Sequence, residues 1–296
     1  MNLNEQQKDI KITELRKLII KYSQNNHRPS NTQIYERVFK NILACLGDKQ
    51  ISYISPMEIE QFKNFRSITV KKTTVNIELR ALKAILNLAV KWEYLDKSPA
   101  KEISQLKVPE KERQYISESD FFKLINEIKN LKFKVLVNTA YYTGLRLNEL
   151  VNLQWKDIDF LDKIIHIRNK DDFMTKTGKN RDIPVSNKLL TILSDYNKIE
   201  FSDKKYNLNY YVFSNKNGSK HNKGYFSRKV KMYMRKAGLN EIYHFHSLRH
   251  TCLSQLAKKG TGIYDLKELA GHSNIKTTEL YLHTCSDSLR AAVNKL

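Results

Sequence analysis

The sequence predicts a mainly α-helical protein with a small antiparallel β-sheet, built as a helical domain over residues 1–100, a linker at 101–114 and an α-rich domain over 115–296. Three observations predict it. Apolar residues recur at helical spacing through the first hundred positions. Residues 101–114 (KEISQLKVPEKERQ) are charged and weakly apolar, as interdomain segments are. Beyond them, helical stripes are broken by two short alternating runs, without the βαβ rhythm or glycine loop of a nucleotide binder.

The elements follow in order. Residues 5–22 carry Ile10, Ile12, Leu15, Leu18 and Ile19 at helical spacing. Arg28-Pro29-Ser30 breaks the pattern, and Ser30 or Asn31 is a plausible N-cap for a second helix. That helix turns Ile34, Val38, Phe39, Ile42 and Cys45 inward and stops near Gly47. Ser55 caps a third, with Pro56 at its first position. Val75, Leu79, Leu82, Leu86, Ala89 and Trp92 stripe a fourth, which Ser98-Pro99 ends. In the second domain Ser117 and Asp120 resemble a capping box. Helices are expected over 121–129 and 133–142. Residues 163–168 alternate, with Ile165 and Ile167 on one face, and 181–185 is the expected partner strand. Lys176-Thr177-Gly178-Lys179 forms a basic hairpin tip between them. Further helices are expected over 223–237, 247–258, 263–269 and 277–282.

The formal net charge of +21 favours a polyanionic partner, nucleic acid first. No apolar run is long enough to span a membrane, and residues 1–11 hold no signal core. A cytoplasmic location is expected by default. Cys45, Cys252 and Cys285 show neither metal-ligand spacing nor a paired framework and read as small apolar residues.

Cutting a DNA strand by phosphoryl transfer requires an in-line nucleophile, positive charge on the non-bridging oxygens and an acid for the leaving oxygen. Metal enzymes supply the charge through clustered carboxylates, and no suitable cluster is legible. Two arginines are the alternative, because their planar forks match phosphate and stay charged. Arg146 in TGLRLNEL and Arg249 in HFHSLRHT suit that role. Tyr281 is the candidate nucleophile. A free phenol titrates at ~10, so full ionisation at pH 7 costs roughly 4 kcal/mol, which nearby cations and a base must offset. His246 and His272 are available for proton handling, and Lys176 on the hairpin tip can protonate the leaving 5′-oxygen.

These stretches (TGLRLNEL, TKTGK followed by RDIPV, HFHSLRHT and LAGHSNIKTTELYLH) resemble those of the tyrosine recombinases, or phage-type integrases, in type, order and spacing. The resemblance covers essentially the whole chain, with residues 73–100 similar to the last helix of the family's DNA core-binding domain. It implies that Arg146 and Arg249 clamp the scissile phosphate and Lys176 is the general acid. It further implies that His246 and His272 assist, Tyr281 forms a covalent 3′-phosphotyrosine and Glu149 supports the site, while His250 reads as structural. No cofactor, metal or ATP is implied. The resemblance also implies double-stranded DNA as the partner, four protomers acting on two duplexes, and docking on a neighbouring protomer by a C-terminal segment for which 286–296 is the candidate. An N-terminal arm-binding domain is not expected. Ala270, Ser247 and Ser98 stand where the family often has Leu, Asp and Asn; none touches the chemistry. Lys170 and Lys179 flank Lys176 in the hairpin and compete with it for the general-acid role. A supercoil-relaxing type IB topoisomerase and a non-enzymatic DNA binder of the same fold are the rival readings.

Overall fold

The computed structural model describes residues 9–109, 114–202, 205 and 207–282, and it divides into two compact units, Met1–Lys111 and Glu112–Leu296.

Among the described residues the first unit assembles α1 (Ile12–Asn26), α2 (Pro29–Leu46), α3 (Pro56–Thr69) and α4 (Lys72–Lys91). Leu15, Ile19, Val38, Phe39, Phe62, Leu79, Leu82 and Leu86 fill its core. α2 is capped by Arg28 rather than by Ser30 or Asn31, because Pro29 already carries the φ of a first helical residue. α3 begins as expected: Ser55 Oγ accepts from Glu58 N, and Glu58 Oε2 accepts from Ser55 N at 3.0 Å. α4 stops well before Ser98-Pro99. Glu93 adopts φ 63°, in the left-handed region. Glu93 N donates to Val90 O and Tyr94 N donates to Ala89 O at 2.9 Å, which is a Schellman ending without glycine. The chain then stays on this unit. Leu95, Ala100 and Ile103 are buried, and Asn76 holds Leu106 through both its backbone N–H and its carbonyl. Residues 101–106 of the expected linker are thus fastened to α4.

The second unit comprises α5 (Glu118–Glu127), α6 (Leu131–Thr143), α7 (Leu147–Leu150), β1 (Ile158–Asp159), β2 (Ile164–Ile167), β3 (Arg181–Pro184), α8 (Asn187–Glu200), α9 (Lys223–Lys236), α10 (Phe245–Lys258), α11 (Ile263–Ala270) and α12 (Lys276–Glu279). Ser117 caps α5, accepting from Asp120 N at 3.1 Å. α6 runs through the core with Val135, Leu136, Val137 and Ala140 buried. The sheet is antiparallel in the order β1-β2-β3, with Ile165 opposite both Ile158 and Ile183. The two-residue β1 was not expected; it carries too few positions to show a period. β3 is an edge strand, which lets it accommodate Pro184. Cys252 is buried and Cys45 half-buried, while Cys285 and the 286–296 segment lie outside the described residues. Among the described residues no helix is long and apolar enough to cross a membrane.

Candidate active site

The second unit gathers its polar residues where α6 and α11 end. α6 closes at Gly144, φ 64°, where an added Cβ would press Cys252 Sγ at 3.4 Å. That turn delivers Arg146 as the residue capping α7. α11 closes in the same left-handed way at Gly271, φ 59°. The last carbonyls of a helix lack intrahelical partners and sit at the negative end of its dipole, so they attract guanidiniums. Arg249 Nη2 donates to Ala270 O at 2.5 Å, and Arg146 Nη2 donates to Gly271 O at 3.0 Å. Two arginines distant in sequence are thereby fixed on consecutive carbonyls. Arg249 Nη1 also donates to Gly144 O at 2.7 Å, tying the two helix ends together.

Arg249 lies inside α10 and is 1% exposed. Burial, then repulsion from Arg146, pushes its pKa down to about 10, against the pull of Glu149 and Tyr281. It remains a cation at neutral pH. Glu149 is 2% exposed and is shared by two guanidiniums. Its oxygens accept from Arg181 Nη1 and Nη2 at 2.9 and 2.7 Å, from Arg146 Nη1 at 3.1 Å and from Arg146 N at 2.8 Å. Burial raises the Glu149 carboxyl, but the hydrogen bonds and charge of Arg181, followed by the charge of Arg146, outweigh it and hold the group below its ordinary value.

The imidazoles and the phenol form a row. His272 Nε2 lies 3.1 Å from Arg249 Nη2. Arginine can only donate, so this nitrogen accepts, and the ring proton sits on Nδ1, 3.0 Å from Thr278 Oγ1. The His272 and Tyr281 rings are near-parallel, 10° apart with centroids 6.2 Å distant. Tyr281 is 2% exposed, packed with Leu253, Ala257, Leu266 and Ala270. Its oxygen is 2.8 Å from His250 Nδ1. The exposed His246, one turn earlier on α10, meets the His250 ring edge-on at 4.6 Å.

Lys176 stands apart. It is exposed on a turn that Thr175 anchors through Asn169 Oδ1 and Lys179 O, and that closes at Gly178, φ 73°. Among the described residues no hydrogen bond joins it to either arginine. Lys170 is committed elsewhere, with Nζ on Asn152 O, Gln154 Oε1 and Asp157 Oδ2 at 3.0, 2.9 and 2.6 Å. Lys179 is exposed. The structure therefore brings together Arg146, Glu149, Arg249, His272 and Tyr281, with His246 at the edge and Lys176 outside the contact network. Two participants escaped the sequence reading. His250, read as structural, touches the phenol. Arg181, read only as strand, binds Glu149. A signal existed for it: Arg181 and Ile183 share the inward face of β3, where an arginine without a counter-charge is costly.

A buried and a half-buried guanidinium beside a phenol and imidazoles, on a helical scaffold with a small sheet, are the groups that phosphoryl transfer to a tyrosine requires. The sequence profile described as Phage integrase family matches residues 114–287, and that described as Phage integrase SAM-like domain matches residues 12–106. A tyrosine recombinase of Thermosipho africanus is 29% identical over 280 residues, covering 91% of this chain and 94% of that one. Tyrosine recombinase XerA of Pyrococcus horikoshii is 31% identical over 227 residues, 75% and 73% of the two chains. The Tn1549 transposon integrase in complex with transposon right end DNA superposes with a TM-score of 0.79 at 22% identity, over 97% of this chain and 99% of that chain, a likeness of fold. The chain belongs to the phage integrase family, the tyrosine recombinases. It is a site-specific recombinase that acts on DNA through a tyrosine intermediate.

Proposed function

We propose that Tyr281 is the nucleophile and that Arg146 and Arg249 hold the scissile phosphate. The Tyr281 oxygen attacks phosphorus in line and the bond to the 5′-oxygen breaks. Lys176, carried in on the hairpin turn when DNA binds, protonates that oxygen. His246 and His272 assist in proton handling, and Glu149 keeps Arg146 in place. The product is a 3′-phosphotyrosine, and attack by another 5′-hydroxyl reverses the step on a new partner strand. The phosphotyrosine conserves the energy of the broken bond, so neither ATP nor a metal is needed. The observation that carries this reading is the anchoring of both guanidiniums on Ala270 O and Gly271 O, with Arg249 bonded to the imidazole that stacks on Tyr281.

In the same reading, residues 1–100 form the core-binding domain, 101–114 the linker and 115–296 the catalytic domain of a cytoplasmic enzyme. The net charge of +21 supports backbone binding whose affinity falls steeply with salt. Four protomers exchange strands between two duplexes. Support for that assembly comes from lambda integrase, solved as a tetramer bound to a Holliday junction, which shares the fold at a TM-score of 0.76 and 17% identity.

The test uses nicked duplexes enriched by repeated binding to the wild-type protein. The wild type should give an SDS-resistant protein–DNA adduct and Tyr281→Phe none. Equal adduct yields from the two would sink the assignment.

A further inference from the structure

We infer that Arg181 is a positioning residue for strand cleavage: by occupying one side of the Glu149 carboxylate, it lets Glu149 hold Arg146 in place without cancelling the charge Arg146 presents to the phosphate. The inference rests on the reading of Arg146 and Tyr281 given above.

The geometry is a closed ring. Arg181 Nη1 and Nη2 bond the two oxygens of Glu149 at 2.9 and 2.7 Å. Glu149 bonds the backbone N–H and Nη1 of Arg146 at 2.8 and 3.1 Å. Arg146 Nη2 reaches Gly271 O at 3.0 Å. Gly271 lies against the Arg181 guanidinium so closely that a Cβ there would meet Nη1 at 3.0 Å, and Arg181 Nε donates to Leu269 O at 3.2 Å. Arg181 is anchored from behind as well, since its carbonyl accepts from Arg168 Nη1 at 3.0 Å. Its side chain is 5% exposed, against 17% for that of Arg146, so it supports the cradle from beneath.

The charge count explains why this support must be a cation. Arg146, Arg181 and Arg249 are three cations around one anion, which leaves a surplus of two positive charges. A phosphodiester develops two negative charges as the nucleophile adds. Without Arg181, Glu149 would turn its whole charge on Arg146 and the surplus would drop to one. Removing both charged groups restores two.

This predicts a crossing pattern rather than a simple loss. Adduct formation on the same nicked duplexes should slow by about 10–100-fold in Arg181→Gln, less than for loss of a donor that touches the phosphate itself. DNA affinity should stay within about threefold of wild type, since Arg181 lies beneath the surface. Glu149→Gln, which weakens the anchor but leaves the positive surplus undiminished, should slow by about tenfold. The double variant Arg181→Gln/Glu149→Gln should react faster than Arg181→Gln alone, and Arg181→Lys should lie between Arg181→Gln and wild type. Circular dichroism melts run in parallel show that each variant is folded. A double variant slower than both singles would mean a structural staple and overturn the inference, as would a wild-type rate in Arg181→Gln. Tyr281→Phe separates the two layers. An adduct that persists in Tyr281→Phe overturns the nucleophile assignment. Its loss there, beside wild-type rates in Arg181→Gln, overturns only the role given to Arg181.

Discussion

Glu78 in the first unit and Glu149 in the second are both buried carboxylates met by arginine forks, and their surroundings differ in one respect. Glu78 is 0% exposed and takes Arg66 Nε and Nη2 at 2.7 and 3.0 Å, with Asn41 Nδ2 at 3.1 Å. One anion meets one cation, and the remaining acceptor capacity is met by a neutral amide. Glu149 has two arginines on it and a third, Arg249, within electrostatic reach. The arginines record the difference. The hydrogen bonds that Arg66 donates to Glu78 hold Arg66 above its ordinary value, whereas burial and Arg146 hold Arg249 below it. Like charges about 4 Å apart repel by roughly 4 kcal/mol at an effective dielectric of about 20, so a surplus of cations is a load the native state carries. A balanced pair fixes structure. A surplus of cations instead attracts anions, as the proposed phosphate clamp requires.

The largest expected effects come from removing each carboxylate in turn. Glu78→Gln leaves Arg66 without its counter-charge. Breaking a buried pair costs about 3–5 kcal/mol, and the partial exposure of the Arg66 side chain should reduce that toward about 2–3 kcal/mol. Hydrogen–deuterium exchange of the full chain should then quicken over residues 9–109, while the rate of adduct formation by bound protein stays at the wild-type value. Glu149→Gln should reverse the pattern, quickening exchange in the second unit and slowing the adduct. It should also change the acid limb of stability. Because Glu149 is held below its unfolded value of ~4.3, unfolding takes up a proton there. The stabilisation is present above that pH and is lost as pH falls through the folded value. In Glu149→Gln the second unit should therefore lose less stability between neutral pH and about pH 3 than it does in wild type. Adduct rates that fall equally in the two glutamine variants would erase the distinction between the units.

A smaller effect separates two glycines of positive φ. At Gly47, φ 72°, nothing lies within 4 Å of an added Cβ. Gly47→Ala should therefore cost only the backbone strain, about 1–3 kcal/mol for φ 72° with ψ −178°, and leave the chemistry alone. At Gly271, φ 59° and ψ 46°, left-handed backbone strain is joined by a 3.0 Å approach to Arg181 and by displacement of the carbonyl that holds Arg146. Gly271→Ala should lose a similar amount of stability and slow adduct formation about tenfold or more. Equal adduct rates in the two alanine variants would mean that the Gly271 carbonyl does not position Arg146.

The same contrast explains what the chain alone makes legible. Local rules are: Ser55 and Ser117 cap as their types demand, and Ile165, Ile167 and Ile183 face inward as alternation requires. The motif residues are too, since Arg146, Arg249, His272 and Tyr281 each sit in a distinctive local context. Errors arise where two local signals compete. Pro29 displaces the expected serine cap, and a glutamate at φ 63° ends α4 before any proline can. The tertiary neighbours are beyond reach. Arg181 joins Glu149 and Leu269 only because β3 pairs with β2 and the end of α11 lies over that strand, and His250 meets Tyr281 only once α10 and the segment after α12 are packed. Alternation marks Arg181 as inward, but it does not name the partner of either residue.

The smallest test addresses the balanced pair itself. Arg66→Lys keeps the positive charge but gives up the planar fork, so one of the two hydrogen bonds to Glu78 is lost, as is the bond from Arg66 Nη1 to Thr69 Oγ1. If Glu78 is held mainly by charge, the cost is that of one or two ordinary hydrogen bonds, about 1 kcal/mol, and should appear as a small rise in exchange confined to α3 and α4. If the bidentate geometry carries the interaction, the loss should approach that of Glu78→Gln. Either way adduct formation should not change, because this pair carries no surplus charge to lend to a phosphate. A slower adduct in Arg66→Lys would show that the first unit's ion pair is coupled to the chemistry, and the separation of structural from functional charge would fail.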